Sequence, residues 1–393
     1  MEFVTEYINI KREGNSPTME KKKLCYFINS AWYFELHWLE RANSAIQAGY
    51  EVLLVARFDN DDLFQRLESI GIKCYESNID EKKINPFQFA CDCLRTFKLL
   101  DKLNPDILHC ITIKPGVISC LWCKIRKKRL VYSFVGLGRV FENTSTVYRI
   151  LRYIIIHLYR VLFSGINCKL TFEHKADQDR ILKLIKMEPH KTVIIDGAGI
   201  NLKHFSYHEE SNDLPVKVLF ASRMLWSKGL ADLLKVKKIL ELNGTSFEIL
   251  VAGIIVENDS DAISLEQIES WSIAGDITWL GTRSDISELI RASNIVALPS
   301  VYAEGIPRIL LEAGSVGRVA ITYNIGGCSS LIQNGVNGIV IEKKNIIQLA
   351  EKLQWLIENP KVRQEMGLKA RALIESKYSS EIVIKQTLQL YLF

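Results

Sequence analysis

The chain has 393 residues, 48% of them hydrophobic, which is enough to bury two cores of ordinary domain size. Fifty basic against forty-five acidic residues leave a formal charge of +5, too small to suggest nucleic acid, and no nucleic-acid motif is present. Nine scattered cysteines, with no apolar leader in residues 1–23, exclude a secreted disulfide scaffold and point to reduced thiols in the cytosol.

In chain order, residues 1–23 are polar and charged, and Met19-Glu20-Lys21-Lys22-Lys23 directly precedes the first strand, so that Met19 would make a natural start after residues 1–18. Residues 1–18 are expected to be a disordered extension or to reflect an upstream start choice. Apolar strands then alternate with amphipathic helices through both halves, which argues for an α/β chain of two doubly wound domains. The expected divisions are an extension over 1–22, a first domain over 23–197, a second over 198–378 and a last helix over 379–393.

Several features of the first half invite functional readings and have plainer alternatives. Asp59, Asn60, Asp61 and Asp62 imitate a D-x-D metal motif but follow the second strand and read as a solvated loop. Cys120 and Cys123 form a C-x-x-C pair, yet no second pair or His couplet completes a zinc site, so buried thiols on a helix are expected. No metal site is expected anywhere in the chain. His109 closes the strand DILHC and reads as a satisfied strand-end histidine, with an acceptor contact as the rarer alternative; Glu173 and His174 stand near the domain crossing under the same two readings.

No window approaches the roughly eighteen apolar residues that span a bilayer. Residues 147–163, VYRILRYIIIHLYRVLF, are strongly apolar yet carry Arg149, Arg152, His157 and Arg160, and the run 124–129 is basic throughout except for Ile125. Two readings stand: a surface that lies on anionic lipid, or a core helix with a basic edge.

The second half carries the chemistry. Val216 to Ser222, VKVLFAS, is a nearly continuous apolar run, as in a parallel strand buried on both faces. Arg223 follows at the strand's carboxyl end, where open α/β sheets bind ligands, and Lys228 comes five residues later. A guanidinium fork and an ammonium at that edge suit a diphosphate. Later, Val296 to Pro299 reads as a strand, and EGIPRILLE (304–312) as a loop running into a helix whose first turn holds Pro307. The N–H groups of Gly305, Ile306 and Arg308 would lack intrahelical acceptors and face an anion. Glu304 and Glu312 stand more than a helical turn apart, so one carboxylate can hold sugar hydroxyls and the other ribose hydroxyls. A ligand anionic in its middle and hydroxyl-rich at both ends is a nucleotide-diphosphate sugar.

These segments, SRMLWSKGL, FEILVAGI, ITWLGTRSDISELIRASNIVALPS and EGIPRILLEAGSVGRVAITYNIGGCSSLIQNGVNGIVI, resemble glycosyltransferase family 4 in content and order over roughly residues 216–345. The resemblance implies a retaining enzyme of GT-B fold, with two Rossmann-like domains facing a cleft and the C-terminal helix crossing back to the first. It implies that Glu304 binds the donor sugar, Glu312 the ribose, Arg223 and Lys228 the diphosphate, and that Thr282 and Arg283 lie beside the base. The first half, through KLCYFINSAWYFELHWLERANSAIQAGYEVLLVAR, is similar to the branch that extends lipid-linked bacterial surface glycans. His37 matches that branch's pattern and is a weak alternative base. A histidine that many members carry after the fourth strand is replaced here by YSFVGLG, so its role does not transfer.

The expected activity is transfer of a hexose or N-acetylhexosamine (GalNAc, Gal or GlcNAc) from a UDP-sugar to an undecaprenyl-diphosphate-linked saccharide in O-antigen or capsule-type synthesis. No cofactor or metal is expected, and the site of action is the inner face of the cytoplasmic membrane. Another GT-B enzyme, such as an epimerase or soluble-acceptor transferase, would turn over without lipid. A non-catalytic sugar-nucleotide-binding partner would bind donor without transfer.

Overall fold

The computed structural model describes residues 21–79, 85–257, 259–302 and 305–393. Residues 1–20 of the expected extension and Glu304 therefore lie outside the described residues. The described chain divides into two compact units: 21–135, Arg139–Ile195 and Glu381–Phe393 form the first, and Gly136–Gly138 with Asp196–Ser380 the second.

In chain order the first half runs β1 (Lys23–Ser30), α1 (Ala31–Gln47), β2 (Glu51–Arg57), α2 (Asp61–Ser69), β3 (Lys73–Glu76), α3 (Pro86–Leu103) and β4 (Ile107–Ile111). It continues with α4 (Ile113–Arg126), β5 (Arg129–Phe134), α5 (Gly138–Glu142), α6 (Thr146–Leu162), β6 (Cys168–Phe172), α7 (Lys175–Ile185) and β7 (Thr192–Ile194). The seven strands are parallel, in the order β3-β2-β1-β4-β5-β6-β7. β4 is buried at every position, because helices on both sheet faces leave a central strand no solvated side. Local chemistry sets the helix starts. Asn60 accepts the N–H of Leu63 at 2.9 Å while Asp61 and Asp62 occupy the first turn, so the acidic run is a helix cap favoured by the dipole.

The second half runs β8 (Val216–Arg223), α8 (Leu230–Leu242), β9 (Phe247–Ile254), α9 (Leu265–Ile273), β10 (Thr278–Trp279), α10 (Ile286–Arg291) and β11 (Ile295–Leu298). After these come α11 (Arg308–Val316), β12 (Val319–Tyr323), α12 (Gly326–Leu331), β13 (Ile339–Ile341), α13 (Ile346–Glu358) and α14 (Pro360–Leu373). Its sheet is also parallel, ordered β10-β9-β8-β11-β12-β13. Both units are thus doubly wound α/β sheets, with strand order reversing between β1 and β4 in one and between β8 and β11 in the other. The second core is built from Val218, Leu219 and Phe220 of β8, Val296 and Ala297 of β11, and Leu310 and Leu311 of α11.

The last helix, expected over 379–393, is α15 (Ser380–Gln389), and it tightens at its end. A π-helical turn (Ile374–Tyr378) precedes it, and a tighter 3-10 turn (Leu390–Leu392) follows it. That last turn sets Tyr391 among Tyr26, Tyr50 and His109 of the first unit's core.

Candidate active site

The chain leaves β8 at Arg223, which is exposed, and passes through a 3-10 turn (Trp226–Lys228) into α8. Lys228 is buried at the root of this turn. Gly229 makes the turn possible: its φ is +88°, and an added Cβ would lie 2.0 Å from the carbonyl oxygen of Pro299. The turn after β8 and the end of β11, the strands flanking the switch point, therefore meet at backbone distance. Val301 N–H donates to Ser227 O at 2.8 Å, a second tie across the same point.

Beyond β11 the structure corrects one expectation. Pro307 stands just outside the helix, with φ −64° and ψ 128°, and α11 begins at Arg308. Its fixed φ suits either place, while its extended ψ marks it as the cap. Gly305 and Ile306 thus belong to the preceding loop rather than to the helix start, and both are buried. Gly327 backs that loop: a Cβ there would lie 2.3 Å from the carbonyl of Gly305 and 2.5 Å from the nitrogen of Ile306.

Glu312 lies one turn into α11, buried, with Arg308 Nε donating to its Oε1 at 2.8 Å. Burial pushes its carboxyl above the usual range, and the Arg308 cation, with a weaker contribution from His204, pulls it back. The result is a buried carboxylate oriented by an i,i+4 arginine.

Thr282 donates its hydroxyl to Gly253 O at 3.0 Å, joining the loop after β10 to the end of β9. Arg283 lays its fork on Asp285 at 2.7 and 2.5 Å, both side chains being solvent-exposed. That bond holds Asp285 below the usual carboxylate range and raises Arg283.

The remaining candidates belong to the first unit. His37 is half-buried on α1, its ring 4.3 Å from that of Tyr33. His109 takes the first of its two readings, a satisfied histidine at a strand end, and lies in the core. It is fully buried, with Nδ1 bonded to Tyr391 Oη and Nε2 to Ser133 Oγ, both at 2.7 Å, so neither nitrogen faces a ligand. Burial, helped by the charge of Arg41, holds its pKa well below the ordinary histidine value. His174 is also structural: buried, it caps α7 by accepting the N–H of Asp177 at Nδ1, with Nε2 3.2 Å from Asp177 Oδ2. Glu173 is half-buried and its charge supports the buried Arg41, which lies 4.2 Å over the Trp38 ring. Sequence reading passed over Arg41, although a charged residue in the apolar repeat of α1 marks it.

On α6, Val147, Ile150, Ile154, Leu158 and Val161 recur at helical spacing and are exposed together with Tyr153, which is 73% exposed. Leu121 and Ile125 of α4 are exposed as well. Ile155 and Phe163, in the same apolar run, face the core instead. Several of the cations are occupied by the protein: Lys124 donates to Val161 O and Ser164 O, and Arg126 forks onto Asp101. Arg152 donates to Val140 O and Asn143 O, Arg160 to Leu184 O and Arg129 to Phe393 O. No described helix is long and apolar enough to cross a membrane. Cys120 and Cys123 are buried thiols, their pKa values pushed well up by burial.

Two family descriptions match this chain: Glycosyl transferase 4-like over residues 23–168 and Glycosyl transferases group 1 over residues 205–373. The chain belongs to these glycosyltransferases. Among its relatives is the N,N'-diacetylbacillosaminyl-diphospho-undecaprenol alpha-1,3-N-acetylgalactosaminyltransferase of Campylobacter jejuni, 29% identical, with 84% of this chain and 88% of the relative covered. The UDP-Gal:alpha-D-GlcNAc-diphosphoundecaprenol alpha-1,3-galactosyltransferase of Escherichia coli is 27% identical, covering 64% of this chain and 66% of its own. A glycosyltransferase structure from Rickettsia africae matches with a TM-score of 0.76 at 21% identity, covering 95% of this chain and 98% of that one. The glycosyltransferase has the GT-B fold, and the segments that carry Arg223, Lys228 and Glu312 fall within the group 1 match.

Proposed function

We propose that this glycosyltransferase moves a hexose or N-acetylhexosamine, with retention, from a UDP-sugar to a saccharide carried on undecaprenyl diphosphate in surface-polysaccharide assembly. The observation that carries the donor half is the backbone junction of the Gly229 turn with Pro299, which sets the turn carrying Lys228 against the end of β11. The acceptor half is supported by the relatives, which are named for undecaprenyl-linked saccharides.

In this reading the bond from the anomeric carbon to UDP breaks as the acceptor oxygen bonds to the same face. The acceptor proton passes to a phosphate oxygen of the departing UDP, with His37 the alternative base. Arg223 and Lys228 stabilise the charge that develops on the diphosphate, without a metal. Glu312 holds the ribose hydroxyls, Glu304 the sugar, and Thr282 and Arg283 flank the base. The acceptor's lipid tail requires a bilayer, and the exposed face of α6 is the surface we assign to the inner leaflet, with Lys127, Lys128 and Arg149 beside it.

The test is a panel of UDP-sugars offered with a synthetic undecaprenyl-diphosphate saccharide in EDTA, the linkage of any product being read by NMR. One efficient donor with an α-linked product supports the reading. Efficient turnover of a UDP-sugar without the lipid-linked acceptor would replace it with a soluble-acceptor transferase or an epimerase.

A further inference from the structure

We infer that Asp261 and Ser227 form a positioning pair that aims the Lys228 turn at the donor diphosphate, an inference that rests on the donor site proposed above. Neither residue stood out in the sequence, and neither needs to touch substrate.

The turn from Leu225 to Gly229 is a single hydrogen-bonded unit, with Lys228 N–H returned to Leu225 O at 3.0 Å and Gly229 N–H to Trp226 O at 3.1 Å. Its orientation therefore sets where Lys228 projects. Ser227 ties that unit down on two sides. Its N–H, at 3.3 Å, and its hydroxyl, closer still, both donate to Oδ2 of Asp261. Its carbonyl accepts Val301 N–H at 2.8 Å and the Ser300 hydroxyl at 3.3 Å, from the loop leaving β11. One residue thus joins the segment around Asp261 to the segment that leads into Gly305.

Asp261 is itself braced. Its carbonyl takes Trp226 N–H at 2.8 Å, and Leu225 pairs antiparallel with Ala262. Its N–H donates to Asp259 Oδ1 at 3.0 Å, and Ile263 N–H reaches Met224 O at 3.0 Å. This strap from 259 to 263 is a fixed rail on which the turn is clamped. A carboxylate accepting two bonds from one residue is the strong member of the set. Without it the remaining backbone ties leave the fold in place, but the turn can rock. A lysine in hydrogen-bond contact with a phosphate loses much of its hold when displaced by about 1 Å.

The test uses the full chain, UDP calorimetry, donor and acceptor KM, and a thermal melt. Asp261→Ala and Ser227→Ala are each expected to weaken UDP about tenfold and to raise donor KM to match. Acceptor KM should hold and the melting temperature should move little. Asp261→Asn, whose amide oxygen accepts the same two bonds, should recover most of the affinity. In a Lys228→Ala background, Asp261→Ala should add nothing further, because the pair acts through that lysine. Additive losses, or Asp261→Asn as harmful as Asp261→Ala, would overturn the positioning role. So would unchanged UDP affinity in Asp261→Ala beside a weakened Lys228→Ala. If Lys228→Ala itself leaves UDP affinity intact, the donor site falls, and this inference with it.

Discussion

Gly229 and Pro299 meet backbone to backbone, so closely that a single added methyl at Gly229 would stand 2.0 Å from the Pro299 carbonyl oxygen. The two strand ends that border the switch point are held at a separation only glycine permits. Gly229→Ala must resolve a backbone clash and adopt a φ of +88°, which together cost roughly 2–5 kcal/mol. A melt lowered by several degrees, with UDP binding lost, is the expected outcome. Wild-type melting and binding would show that the junction can open freely.

Glu312 is buried and is also the proposed ribose ligand, and the two demands pull apart. Its folded pKa is raised, so protonation is favoured by folding, and its stabilising contribution is complete below the unfolded carboxyl pKa and lost as pH rises through the folded value. At neutral pH the ionised form is therefore held at a cost. Glu312→Gln should keep or raise the melting temperature while weakening UDP by about tenfold, since the carboxylate proposed to hold the ribose becomes an amide. Loss of stability with unchanged UDP affinity would make Glu312 a structural residue only.

His109 supplies a pH test of the first unit. Its folded pKa is depressed, so its contribution is present above the unfolded pKa of about 6.5 and is lost as pH falls toward the folded value. Wild-type protein should lose melting temperature between about pH 7 and 5 more steeply than His109→Asn. Parallel slopes would mean that the histidine is not buried neutral.

Strand chemistry was legible where a residue's fate depends on its neighbours in sequence. The apolar run of β8 placed Arg223 at the strand end, and the spacing of VKVLFASRMLWSKG put Lys228 at the following turn. Pro307 was misplaced by one position because its ring suits a cap as well as a first turn, and only ψ separates the two. His109 was ambiguous because its partner Tyr391 is 282 residues away, a distance over which no local pattern operates. The clamp on Ser227 was invisible for the same reason: Asp261 is 34 residues on, in a loop with no periodicity. The amphipathic stripe of α6 was readable, but its facing was not, and Ile155 and Phe163 turned out to be core.

That facing sharpens the membrane prediction. Arg129 and Arg152 are engaged by the protein, so their replacement would damage the fold as well as the surface charge. Lys127, Lys128 and Arg149 are the better probes, each contributing about 1 kcal/mol near an anionic surface. Wild-type protein should sediment with anionic vesicles and be partly released by salt. Changing these three to Glu, or Val147 and Ile154 to Asp, should abolish sedimentation and leave UDP affinity unchanged. Wild-type protein remaining in the supernatant at low salt would remove the membrane from the proposal.

The central claim is that Arg223 and Lys228 at the switch-point edge hold the donor's diphosphate. Its most direct test is UDP calorimetry on Arg223→Ala and Lys228→Ala, with melts confirming that both variants fold. Removing either cation deletes a charge-assisted hydrogen bond to phosphate and should weaken UDP by roughly 1.5–3 kcal/mol, about tenfold or more, with transfer falling in parallel. UDP affinity equal to wild type in both folded variants would contradict it and return these two cations to the status of an ordinary basic turn.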